Sequence, residues 1–136
     1  MPVRGIDHVN IRTPLFEESI AFFEQALGLR RGPAASAGGR ADNMWLYNEE
    51  GRALIHVNGP RQGEAIAERG SVSRLHHVAL ACTGLAATRA RLAAMGVEVH
   101  EVRLASRGLL QLNIADPNGI LIELLFEEEA EGGPDR

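Results

Sequence analysis

The chain repeats itself, and the repeat limits its fold to two copies of one supersecondary unit. One segment, Gly5 to Asn58, opens with I-D-H-V-N-I-R; a second, Arg74 to Phe126, opens with L-H-H-V-A-L-A. Both openings alternate apolar with small or polar residues, which is strand periodicity. His8 and His77 fall at the same place in the two openings.

A helix is expected after each opening strand. Thr13-Pro14 reads as a helix start, a capping hydroxyl followed by proline at the first helical position. Glu17 and Glu18 follow, where the helix dipole favours negative charge. Ile20, Phe23 and Leu27 fall at helical spacing and form a candidate core stripe. Gly28 is the expected stop. In the second half Leu85, Leu92 and Met95 mark the helix, and Gly96 stops it. Three more strands complete each half: Leu29–Ala34, Asn43–Tyr47 and Arg52–Asn58, then Val97–Leu104, Leu109–Ala115 and Ile120–Phe126. The last two strands of each half are joined by turn-rich loops, N-E-E-G at 48–51 and D-P-N-G at 116–119.

The order β-α-β-β-β therefore occurs twice. Module one spans about 5–58, a polar linker 59–73, module two about 74–126, and an acidic tail 127–136. The linker has a candidate helical turn at Glu64–Arg69. The Gly/Ala/Ser-rich stretch Ala34–Arg40 reads as a mobile loop, and the tail as frayed. With 136 residues, 45% of them apolar, one globular domain can bury a core without staples. The net charge of −4 and the scattered arginines argue against a nucleic-acid track. A single cysteine, Cys82, excludes an intrachain disulfide. With neither a signal peptide nor an apolar run of membrane-spanning length, a cytoplasmic protein is the expectation.

Four chemistry-bearing residues stand at paired places. L-I-H-V at 54–57 overlays L-I-E-L at 121–124, so His56 matches Glu123 as His8 matches His77. On the last strand Ile120, Ile122, Leu124 and Phe126 share a face suited to a helix, which puts Glu123 on the other face between Leu121 and Leu125. A carboxylate placed there is costly unless something pairs with it. Ile55 and Val57 leave His56 on the corresponding face, and Val9, Ile11, Val78 and Leu80 do the same for His8 and His77. A pseudo-twofold arrangement of the halves would gather the four. Taken alone, each histidine is more often structural or exposed; the joint case rests on the repeat. Three imidazoles and a carboxylate suit Zn, Ni, Co, Mn or Fe(II).

At these residues the sequence resembles the vicinal oxygen chelate superfamily, the group of glyoxalase I, extradiol dioxygenases, methylmalonyl-CoA epimerase, and fosfomycin and bleomycin resistance proteins. The resemblance is carried by I-D-H-V-N-I, S-I-A-F-F-E-Q-A-L-G-L, L-H-H-V-A-L and D-P-N-G-I-L-I-E-L. It implies an α+β fold of two βαβββ modules, with eight strands in an incompletely closed cup and helices outside. It also implies one divalent metal held by His8, His56, His77 and Glu123. The implied activity is that of a metal-dependent lyase or isomerase of the glyoxalase type. Such an enzyme acts on a small oxygen-chelating substrate through a metal-stabilised enediolate, with His56 and Glu123 as catalytic residues.

Glyoxalase I usually carries glutamate at the place of His56, so this position separates the implied activities. One alternative is an extradiol-type ring-cleaving dioxygenase using His8, His77 and Glu123. Another is a non-catalytic drug-binding protein of the bleomycin-resistance kind. Asn10, Arg12, Trp45, Gln111 and Asn113 are candidate substrate contacts, and Arg12 or Arg103 is a candidate carboxylate clamp. Cys82 is expected on the helix side as inert packing. The resemblance also implies a homodimer, with modules paired within one chain or exchanged between two.

Overall fold

The computed structural model describes residues 4–33, 40–65 and 75–128. Most of the loop expected at Ala34–Arg40 lies outside the described residues. So do the part of the linker and its helical turn beyond residue 65, and the tail beyond residue 128.

The chain runs β1 (Val9–Arg12), α1 (Phe16–Leu27), β2 (Arg30–Pro33), β3 (Asn43–Tyr47) and β4 (Ala53–Asn58), then β5 (His77–Cys82), α2 (Leu85–Ala94), β6 (His100–Leu104), β7 (Leu109–Ala115) and β8 (Leu121–Glu127). These are two βαβββ modules of the expected α+β class. One four-stranded mixed sheet has the order β1-β4-β3-β2, with β1 parallel to β4 and the other pairs antiparallel. The other sheet repeats this as β5-β8-β7-β6. The described residues form two compact units. The first holds β1–β4 and α1 together with the reversal Asp116–Gly119; the second holds the rest of β5–β8 and α2. No helix among the described residues is long and apolar enough to cross a membrane.

In the first unit α1 buries Ile20, Phe22, Phe23 and Ala26, and the sheet supplies Ile11, Leu46, Ile55 and Val57 to the same core. The helical stripe is as expected, except that Ala26 is fully buried and Leu27 only partly. Gly28 ends α1 in the left-handed region at φ 67°, and its N–H reaches the Glu24 carbonyl.

The start of α1 differs from the expectation. The helix begins at Phe16, and Thr13 lies upstream of it with its hydroxyl accepting from Leu15 N–H at 2.9 Å. The same hydroxyl donates to Oδ1 of Asn118. Asn118 Nδ2 in turn donates to Ser19 Oγ at 2.9 Å and to Asp116 Oδ2 at 2.8 Å. Thr13, Ser19 and Asp116 are all buried, and this closed network keeps their polar groups satisfied. A partner so distant in sequence is the reason the local pattern looked like an ordinary cap.

In the second unit Leu112, Ile114, Ile122, Leu124 and Phe126 form the buried sheet face, and α2 presents Thr88 and Leu92. The α2 end delays β6: Val97 N–H bonds to the Leu92 carbonyl, so β6 begins at His100 rather than Val97. The last strand is shifted by one residue from the expected Ile120–Phe126 to Leu121–Glu127. Glu127 belongs to β8, and Glu128 is tied down by its N–H to the Gly108 carbonyl and by Arg103.

β2 and β3 meet at one close contact. The Tyr47 hydroxyl donates to the Pro33 carbonyl at 3.2 Å, and its ring lies over Gly32. A Cβ at Gly32 would come 2.7 Å from Tyr47 Cε2. Gly32→Ala should therefore destabilise the protein by about 1–3 kcal/mol, seen as a lower denaturant midpoint with an unchanged slope. An unchanged midpoint would mean that the Tyr47 ring does not occupy that space.

Candidate functional site

Burial of Ile55 and Val57 beneath α1 turns His56 to the opposite face of β4. Register sets Asn10, His56 and Trp45 in one row across three strands. The His56 and Trp45 rings stack with centroids 4.8 Å apart and planes 3° from parallel. His8, just before β1, meets Trp45 edge-on at 4.4 Å, and its ring lies 6.4 Å from that of His56.

The two histidines of this unit are held through different nitrogens. His8 Nδ1 lies 2.7 Å from Asp7 Oδ2; in the neutral ring this contact puts the proton on Nδ1 and the lone pair on Nε2. His56 meets Asn43 Oδ1 through Nε2 at 2.5 Å. Burial, and then the charges of His8 and Arg12, push the His56 imidazole below its ordinary pKa. The indole N–H of Trp45 is buried with no partner among the described residues. Asn10 donates to the His56 carbonyl at 3.0 Å. Arg12 pairs with Glu64 at 2.8 Å. Both are thus already engaged within the chain.

In the second unit Ile122, Leu124 and Phe126 occupy the buried face of β8 and leave Glu123 on the other. One registered row runs Ala79, Glu123, Asn113, His100. His77 Nε2 lies 3.6 Å from Glu123 Oε2, while its Nδ1 lies 3.0 Å from Nδ1 of His76. Gln111 Nε2 donates to Asn113 Oδ1 at 2.7 Å, and Asn113 donates to the His100 carbonyl at 3.0 Å. A cavity of about 280 Å³ opens here, with His76, His77, Glu98, His100, Asn113 and Glu123 among its lining. Arg103 is out of phase with His100 and lies on the other face, bound to both carboxylate oxygens of Glu128. This removes it as a clamp for substrate in this cavity. Cys82 shares the phase of Val78 and Leu80, and burial pushes its thiol up to about 11. That fits inert packing.

Each unit thus supplies two of the four candidate ligands. No three His, Cys, Asp or Glu side chains converge on one point among the described residues. The 3.6 Å between His77 and Glu123 is close to the roughly 3.4 Å spanned by two ligands on one tetrahedral ion. His8 fits as well, since a carboxylate on Nδ1 is the usual support for a metal-binding imidazole. His56 fits less well, because its Nε2 already has a partner. Asp7, Asn43 and His100 escaped the sequence reading. For His100 the signal was its parity with Asn113; Asn43 carried none, because its place beside His56 is set by the pairing of two strands.

The His56 environment has a consequence in metal-free protein. The folded state favours the neutral ring, so the unfolded chain takes up this proton first as pH falls. The His56 contribution to stability is therefore intact above the ordinary value of 6.5 and is lost as pH drops below it. NMR titration should give a His56 midpoint below 6.5. A midpoint at or above that value would contradict the geometry.

A family model described as the Glyoxalase/Bleomycin resistance protein/Dioxygenase superfamily matches residues 5–124. Curated proteins give no significant match. Among solved structures, a glyoxylase/bleomycin resistance protein/dioxygenase domain from Frankia sp. EAN1pec has TM-score 0.73 and 18% identity, covering 97% of this chain and 96% of that one. A lactoylglutathione lyase from Agrobacterium tumefaciens has TM-score 0.66 and 19% identity, covering 94% and 97%. A fosfomycin resistance protein from Listeria monocytogenes, complexed with Mn(II) and a dihydroxypropylphosphonic acid, has TM-score 0.64 and 16% identity, covering 96% and 94%. At such identities the likeness is one of fold. The family match over most of the chain, together with the two βαβββ modules, means that this protein belongs to the glyoxalase/bleomycin resistance protein/dioxygenase superfamily.

Proposed function

We propose that this chain is a metal-dependent lyase or isomerase of the glyoxalase type, acting on a small substrate with two neighbouring oxygens. Members of the superfamily generally bind a divalent metal and small-molecule substrates, and often form dimers. We assign the metal to His8, His77 and Glu123. The sequence pattern also offers His56 as a ligand; its contact with Asn43 favours a proton-handling role instead. The observation that carries the reading is the His77–Glu123 pair, 3.6 Å apart on the face of their sheet opposite its buried apolar row. The protein is proposed to work as a homodimer, with His8 joining His77 and Glu123 from the same chain or from an exchanged copy.

A bound divalent ion supplies Lewis-acid charge for two vicinal oxygens. Glu123 brings the negative charge that offsets the ion in an otherwise imidazole-rich set. His56, neutral near pH 7, takes a proton from the carbon beside a substrate carbonyl and returns it to the neighbouring atom. The cavity wall of Asn113 and His100 offers polar contacts to the rest of the substrate.

The Asn43 contact also favours a second reading. With His56 off the metal, two histidines and one carboxylate remain, the set used by oxygen-activating iron enzymes.

Titration with Zn, Ni, Co, Mn and Fe(II) should give one ion per chain, and Glu123→Gln should weaken binding by about 100-fold or more. Against a panel of 2-oxoaldehyde–thiol adducts and α-hydroxycarbonyl compounds, the loaded protein should turn over at least one. His56→Ala should then lower kcat by about 10²–10⁴-fold while keeping the metal. Oxygen uptake with catechols and Fe(II) would move the assignment to the second reading. Tight drug binding without metal or turnover would contradict both.

A further inference from the structure

We infer that Asn43 and Trp45 form a clamp that takes His56 by its Nε2 edge and its ring face, withholding Nε2 from metal and leaving Nδ1 as the proton-accepting atom. Asn43 is then a positioning residue for His56. The catalytic meaning of the clamp rests on the metal-dependent reading above; its geometry does not.

The clamp follows from strand pairing. β3 and β4 are antiparallel, with Trp45 opposite His56 and Asn43 opposite Asn58. Asn43 is therefore the diagonal neighbour of His56, within side-chain reach on the same face. Its Oδ1 lies 2.5 Å from His56 Nε2. An amide oxygen carries no hydrogen, so Nε2 must donate and Nδ1 keeps the lone pair. Trp45 and Asn43 fix different things. The indole, within 3° of parallel, sets the plane of the imidazole. A half-turn of the ring about χ2 would keep that stack but put a carbon against Asn43 Oδ1, so Asn43 selects which edge points where. Asn10, donating to the His56 carbonyl at 3.0 Å, anchors the backbone beneath.

The spacing of the two histidines agrees. Their ring centroids are 6.4 Å apart, whereas two imidazoles on one tetrahedral ion would bring them to about 5 Å. His8 keeps its Nε2 open and holds Asp7 through Nδ1. The two rings are thus prepared for different work, one for binding and one for proton transfer.

Imidazole ¹⁵N spectra of the full-length, metal-free protein test this directly. The clamp predicts that His56 is the Nε2–H tautomer. Asn43→Asp should preserve that tautomer, because a carboxylate also accepts from Nε2–H. Asn43→Ala should give a mixture. Added Zn(II) should shift the ring nitrogens of His77 and leave those of His56 in place, and His56→Ala should retain wild-type Zn(II) affinity. An Nδ1–H tautomer in the wild type, indifference to Asn43→Ala, or a His56 Nε2 signal that moves with His77 on adding Zn(II) would each overturn the clamp. If Zn(II) shifts neither histidine, the metal-dependent reading fails, while the tautomer and its response at Asn43 still decide the clamp.

Discussion

Along β4 and β8 the side chains alternate between a buried apolar face and a polar, half-buried face, and the placement of the candidate site residues depends on that alternation. Ile55, Val57, Ile122, Leu124 and Phe126 are buried, and their burial contributes the larger free energy, roughly 1.5–3 kcal/mol for each large apolar side chain. His56 and Glu123 occupy the positions between them. A slip of one residue in either strand would bury an imidazole or a carboxylate and expose the apolar row. The hydrophobic core therefore fixes the orientation of the polar residues without contacting them.

The two polar faces are specialised in different ways. In the first unit Trp45 stacks on His56, Asn43 meets the His56 ring edge, and Asn10 bonds the His56 main-chain carbonyl. The second unit offers a cavity lined by the imidazoles of His76, His77 and His100, the carboxylates of Glu98 and Glu123, and the Asn113 amide. Arg12 and Arg103, the two arginines considered as clamps, each already face a carboxylate of the chain. Neither guanidinium is therefore free to act as a bidentate clamp for a substrate carboxylate.

Much of this was readable in the sequence because it is local. The repeat, the strands Asn43–Tyr47 and Leu109–Ala115, the stop at Gly28 and the facing of Glu123 all follow from periodicity and turn chemistry. What escaped was set by pairing between distant residues. Thr13 resembled a helix cap because its hydroxyl partner Asn118 lies across the chain. Asn43 looked like an ordinary strand-start residue, since nothing local places it diagonal to His56. The role of His56 was ambiguous in sequence for the same reason: a histidine's function depends on which nitrogen is engaged, and that is set by its neighbours in space. The late start of β6 is a local exception: Val97 N–H bonds the Leu92 carbonyl at the end of α2.

A crystal structure of the loaded protein, with anomalous data collected at the absorption edge of the bound metal, tests the account most directly. It should show one ion contacted by His8, His77 and Glu123, with His56 still on Asn43 and outside the coordination shell. An ion ligated by His56 Nε2, or an ion bound elsewhere with His77 and Glu123 unengaged, would contradict it.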